Sequence, residues 1–324
     1  MSQTWNLKLK LMKQVTISLF AILLPIALGS PTDKPVAGNS PPLSSYSQSK
    51  PLLAAASLPW HGSPRLVYDD SFRDQGMVGS YNWSGYAATN KTGTVTYVAG
   101  TWTVPTVTAS ENNQAQYSAI WVGIDGFDSG TVEQLGTLQA VENVQTESRG
   151  GKVSIETEYL YEAWVEMYPA GMVVLSSTTP GMSGSGTVNP GDTITASVTW
   201  NGGTSYSLSM TDAKEGWTYG PVAWKGSKSA EQNSAEWIVE APSSNSGILP
   251  LADFGTEVFS ACNATITGQN GNAEGTIGDF LPTLEDTIMV SERGDQNMAV
   301  PAPSNKTITS AATGFDDTWY SSGP

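Results

Sequence analysis

Histidine, cysteine and basic residues are all scarce in this 324-residue chain, and each shortage removes a class of chemistry. The one histidine, His61, precedes the stretch that reads as folded. Ser-His-Asp and Cys-His catalysis are thereby excluded, as is a zinc site built on histidine. The one cysteine, Cys262, can form no internal disulfide and cannot hold a metal alone. A lone thiol of this kind is expected to be buried and inert. Residues 81–324 carry 8 Lys and Arg against 26 Asp and Glu, a net charge of −18. Nothing there neutralises a phosphate backbone, so no nucleic-acid partner is expected. The same imbalance suits acid, because few cations are left to repel one another once the carboxylates are protonated. Chemistry must rest on carboxylates, amides, hydroxyls or bound ions.

The first residues read as an address. Lys8, Lys10 and Lys13 precede an apolar run from Val15 to Leu28 and the small-residue step "ALGS". This is the pattern of a signal peptide over residues 1–29, too short to span a bilayer comfortably. Export, with no membrane attachment of the mature form, is the expectation. Residues 30–80 hold seven prolines among many serines without sustained periodicity, the composition of a poorly structured pro-segment or linker. From Tyr81 to the end, short runs rich in Val, Thr, Tyr and Trp alternate with Gly-, Asn- and Pro-containing turns. No run keeps a helical period. The expectation for 81–324 is an all-β domain, a sandwich of two antiparallel sheets.

Two segments stand out for their carboxylates. In Ile155 to Pro169 the even positions give Glu156, Glu158, Leu160, Glu162, Trp164, Glu166 and Tyr168. The odd positions are aromatic, aliphatic or small, so one face is expected to pack and the other to floor a concave cleft. In "AEWIVEAP", Glu236 and Glu240 share one face of a strand that Pro242 ends. Buried carboxylates are costly, whereas carboxylates lining a cleft can be the chemistry.

The blocks "NWSGYAA" (82–88), "GTWTVP" (100–105), "WVGIDG" (121–126), "EQLG" (133–136), "YEAWVEMYP" (161–169), "PGD" (190–192) and "AEWIVE" (235–240) follow in order. Together they resemble the glutamic peptidases, or eqolisins, acid-acting endopeptidases with a lectin-like two-sheet sandwich. The resemblance implies a Glu–Gln dyad formed by Glu240 and Gln134, the latter in a Gln-x-Gly step. It implies Trp83, Trp121, Asp125, Trp164 and Glu166 as cleft walls or supports. It also implies polypeptide substrates, a monomer and no cofactor or metal. Gln139 and Glu236 are the alternatives for the two dyad positions. This chain departs from the pattern in lacking disulfides near "WVGIDG", and in carrying Glu133 where the family has an aliphatic residue.

The proposed pair is chemically sensible without the name. A carboxylate stays partly ionised in acid and can take a proton from water, while an amide donor does not titrate. Two other readings compete. A glycoside hydrolase or sugar-binding sandwich could draw its acid and nucleophile from Glu156, Glu158, Glu162 and Glu166. A non-catalytic wall or adhesion protein would need only the secretion signal and polar surface. Asp125 and Asp128 match no defined calcium loop. Asn82, Asn90, Asn263 and Asn305 are glycosylation sequons.

Overall fold

Alternation of burial runs through the strands and builds a layered structure. In Ser205–Asp212 every second residue is buried, as a strand with one face on a core requires. The computed structural model describes residues 64–67, 72, 76–111, 114–268, 272–281, 283–294, 296–304 and 307–323. The signal peptide and most of the expected pro-segment lie outside the described residues. The strands are β1 (Leu66–Val67), β2 (Val78–Ser80), β3 (Trp83–Thr89), β4 (Val95–Thr103), β5 (Gln116–Ile124), β6 (Val132–Glu147) and β7 (Val153–Tyr168). Then come β8 (Val173–Val174), β9 (Met182–Ser183), β10 (Thr193–Trp200), β11 (Ser205–Asp212), β12 (Trp217–Lys225) and β13 (Ser234–Glu240). The last are β14 (Ser243–Ser244), β15 (Gly247–Ile248), β16 (Thr256–Thr267), β17 (Asn272–Thr276), β18 (Leu284–Val290), β19 (Asn297–Ala302) and β20 (Phe315–Trp319).

Pairing traces two layers. The front layer runs β2–β18–β3–β13–β5–β6–β7–β8, antiparallel except for β2 beside β18. The back layer runs β9–β12–β11–β10–β4–β16–β20–β19. Pairing of β18 with β19 joins the layers at one corner. Between them, Ile120, Val122, Leu135, Val165, Trp237 and Val239 pack against back-layer residues such as Val98, Trp102, Val198 and Leu208. Each such burial contributes about 1.5–3 kcal/mol. This is the expected all-β sandwich.

Two expectations need correction. Residues 30–80 were expected to be a poorly structured pro-segment or linker, yet Leu66–Val67 pairs with Gly79–Ser80, and Val78–Ser80 pairs with Thr287–Met289. The folded body therefore begins before Tyr81, because β2 caps the exposed edge of β18. The odd face of β7 was expected to pack along its whole length, but Val153, Ile155 and Tyr159 are exposed. The reason is strand length. β5 starts at Gln116, opposite Val141, so β6 and β7 beyond that level form a two-stranded arm overhanging the sandwich.

Candidate active site

The outer face of the front layer carries a second cluster, containing Trp83, Trp121, Leu138, Trp164 and Ile238. Period two selects its members. On β13, Ala235, Trp237 and Val239 enter the main core, which turns Glu236, Ile238 and Glu240 outward. On β6 the same rule turns Gln134 and Leu138 to this face and Leu135 to the core. On β7 it turns out Glu162, Trp164 and Glu166. Glu240, Gln134, Trp83, Trp121, Trp164 and Glu166 thus share one face. Met172 and Leu249 pack over its apolar members. Trp83, Trp121, Trp164, Gln134 and Glu240 are all fully buried.

Glu240 closes β13 opposite Trp83 on one side and Ala119 on the other. Trp121 Nε1 donates to Glu240 Oε2 at 2.9 Å, and the Trp83 ring meets Trp121 edge-on at 4.8 Å. An N–H aimed at a carboxylate fixes its direction. Gln134 Nε2 donates to Glu166 Oε2 at 3.2 Å, which orients the amide. Level with Gln134, through Gly123, lies Glu236, and Glu240 is four residues farther along β13. By sheet dimensions Glu240 and Gln134 have Cα atoms about 16 Å apart.

Two glycines make room for the indole between them. A Cβ on Gly136 would lie 2.5 Å from Trp121 Cβ and 2.2 Å from the Ile120 carbonyl oxygen. One on Gly123 would lie 2.9 Å from Trp121 Cζ3 and 3.2 Å from Gln134 Cβ. The glycine of the Gln-x-Gly step is therefore a spacer under Trp121. Gly123→Ala meets only side chains, so it is expected to fold with a loss of about 1–3 kcal/mol. Displacing both Trp121 and Gln134 is expected to lower kcat on the order of tenfold to a hundredfold. Thermal melting and peptide turnover on one preparation would check both.

The alternatives fall elsewhere. Gln139 faces the core side of β6, with Nε2 donating to Thr137 Oγ1 at 2.6 Å and Oε1 accepting from Ser118 Oγ. Glu236 is on the outer face but is fully buried. Burial pushes its carboxyl well above the usual range, aided by Asp125 and Glu133, while the Ser234 hydroxyl and Phe127 amide only partly offset this.

Asp125 has a positional role. Its carboxylate accepts from the backbone amides of Glu231, Gln232 and Asn233 at 2.7, 2.9 and 2.9 Å, fixing the loop that leads into β13. Its pKa is nevertheless raised, burial outweighing those three amides. Sequence reasoning flagged Glu133 only as a departure. It points into the core side beside Asp125 and Tyr206, where burial above all pushes its carboxyl up to about 9. Asp125, Glu133 and Glu236 form a buried acidic group behind the start of β13.

Other sequence candidates are also placed. Glu156 is exposed on the arm and Glu158 is half-buried. Cys262 is buried, and burial pushes its thiol far up, which leaves it unreactive. The Asn82 sequon is buried, with Oδ1 accepting from the Arg65 amide at 2.7 Å, so it is no glycan acceptor in the folded chain. Asn305 lies outside the described residues.

Comparison with known proteins places the chain in a family. Aspergillopepsin-2 of Aspergillus niger is 27% identical over 222 residues, covering 62% of this chain and 70% of that protein. Scytalido-glutamic peptidase, solved with a peptide-based transition-state analogue, shares the fold at a TM-score of 0.52 and 21% identity. That match covers 74% of this chain and 98% of the other. SCP-B, described as a member of the eqolisin family of peptidases and solved with the tripeptide Ala-Ile-His, gives a TM-score of 0.51 at 20% identity. Its match covers 74% of this chain and 98% of SCP-B. The Peptidase A4 family pattern matches residues 81–300, so this chain belongs to the Peptidase A4 family and is a peptidase of the glutamic type.

Proposed function

We propose that the chain is the precursor of an exported endopeptidase acting in acid on polypeptides, with Glu240 as general base and Gln134 as oxyanion donor. Glu240 removes a proton from water as its oxygen attacks the scissile carbonyl carbon. The carbonyl oxygen takes up negative charge, and an N–H of Gln134 stabilises it. Collapse of the tetrahedral intermediate breaks the C–N bond, and the proton held by Glu240 passes to the leaving amine. Water is consumed, and the carboxylate is regenerated.

The observation that carries this reading is the contrast between the two glutamates of β13. A base must be ionised where the enzyme works. Trp121 Nε1 donates to Glu240 Oε2 and fixes its direction, whereas burial raises the Glu236 carboxyl well above its ordinary value and favours its neutral form. Glu236 is the closer to Gln134 in register, but a neutral carboxyl is a poor base.

The expected pro-segment suggests an inactive precursor. The described chain starts beside the site: the Arg65 amide bonds Asn82, whose carbonyl accepts from the Ala241 amide next to Glu240. Because Val78–Ser80 is a strand of the front layer, the processed chain is expected to begin at or before Val78. Acid incubation of the precursor, N-terminal sequencing, and digestion of a denatured protein in the presence of pepstatin or EDTA test the proposal together. Peptide cleavage resistant to both inhibitors is expected. A mature chain starting at Tyr81 would overturn the processing site, and sensitivity to EDTA would overturn the metal-free mechanism.

A further inference from the structure

The arm formed by β6 and β7 holds carboxylates that the proposed chemistry does not use. Glu142 stands directly opposite Glu158, an arrangement of like charges that destabilises a strand pair unless something compensates it. Glu142 is 1% exposed, and neither of its oxygens has a hydrogen-bond partner. By the period-two rule, Glu142 lies on the same face of β6 as Gln134 and Leu138. Tyr117, Ala140 and Leu160 make a continuous apolar step between the arm and the site. An acidic pair sits at the end of an apolar trough, and no cation among the described residues is paired with it.

We propose that Glu142 and Glu158 form a specificity subsite that takes a lysine or arginine side chain of the substrate, about five residues from the scissile bond. The spacing follows from the sheet. Six residues of β6 separate Glu142 from Gly136, which lies beneath Trp121, about 20 Å of strand. An extended peptide covers that in about six residues, less the reach of a basic side chain. The ammonium or guanidinium group satisfies the Glu142 oxygens and removes the repulsion with Glu158, while the aliphatic stem lies along Leu160 and Tyr117. The subsite rests on the peptidase reading, since it presupposes an extended peptide over the Trp121 level.

The test uses acid-incubated protein and a cleavable peptide scanned with lysine or glutamine three to six residues from the scissile bond, on either side. Burial, with Glu158 beside it, raises the Glu142 carboxyl, so the scan is run at about pH 5 and again at about pH 6. There, lysine is expected to raise kcat/KM about tenfold at one position. The double variant Glu142→Gln, Glu158→Gln is expected to abolish that preference while cleaving the all-glutamine peptide as the wild type does. The exposed turn of the arm and the relief of like charges favour folding of this variant, which circular dichroism checks. A preference that survives in the double variant, or no preference at any position, overturns the subsite. Calorimetry with the same peptides carrying a reduced –CH2–NH– scissile bond separates binding from chemistry. Tighter binding of the lysine peptide without cleavage of any amide peptide supports the subsite and overturns the catalytic assignment.

Discussion

Replacing Glu240 by glutamine is expected to lower kcat by about 10²–10⁴, with KM nearly unchanged. Glutamine fills the same volume and still accepts from Trp121 Nε1, so the loss reports the missing base and not a collapsed site. Gln134→Ala is expected to cost about 10²–10³ through the lost oxyanion donor. The double variant should be little worse than Glu240→Gln, because the two groups act in one step. Glu236→Gln and Gln139→Ala serve as controls. Burial raises the Glu236 carboxyl well above its ordinary value, and Gln139 faces the core side of β6. Near-normal turnover in Glu240→Gln with an inactive, folded Glu236→Gln would exchange the roles of the two residues.

Stability is expected to be greatest in acid and to fall steadily toward neutral pH. Asp125, Glu133, Glu236, Glu257 and Asp317 are all buried, and burial is the leading cause that raises each carboxyl. A group raised on folding binds its proton more tightly in the folded state. Its contribution is therefore fully present below the ordinary carboxylate range and is lost as pH rises toward the folded value. For Glu133, raised from 4.5 to about 9, the window runs between those two values. At pH 7 that one group costs about 3 kcal/mol. Several such groups rival a typical net stability of about 5–15 kcal/mol. Acid itself does little harm, since few cations repel one another there. Denaturant titrations between about pH 3 and pH 7 check the slope. Glu133→Gln is expected to flatten it by about one proton, and stability that rises over this range would contradict neutral buried carboxyls.

Much of the sandwich was legible because its strands alternate cleanly. The runs at Val95–Thr103, Gln116–Ile124, Thr193–Trp200, Ser205–Asp212 and Ser234–Glu240 were all recognisable from β-branched and aromatic residues between turns. β6 was not. "VEQLGTLQAVENVQTE" is buried on both faces over its first eleven residues, so its glutamines and Glu133 break the alternation that marks a half-buried strand. β18 and β19 were also missed, each being short and carrying charged or proline residues. In the site, the position of Gln134 against Gln139 follows from parity once β6 is known. The buried company of Asp125, Glu133 and Glu236 could not be read, because it joins three strand ends that are far apart in sequence.

The free, buried Cys262 and the absence of any cystine in this sequence have a practical reach. An enzyme held together only by packing, sheet hydrogen bonds and bound protons has no covalent cross-link for a reductant to open. Thiols or phosphines added to unfold a cystine-rich substrate leave such a protease untouched. Substrate and catalyst then respond oppositely to one reagent, which suits the chain to digesting disulfide-bonded proteins in a single acidic, reducing step.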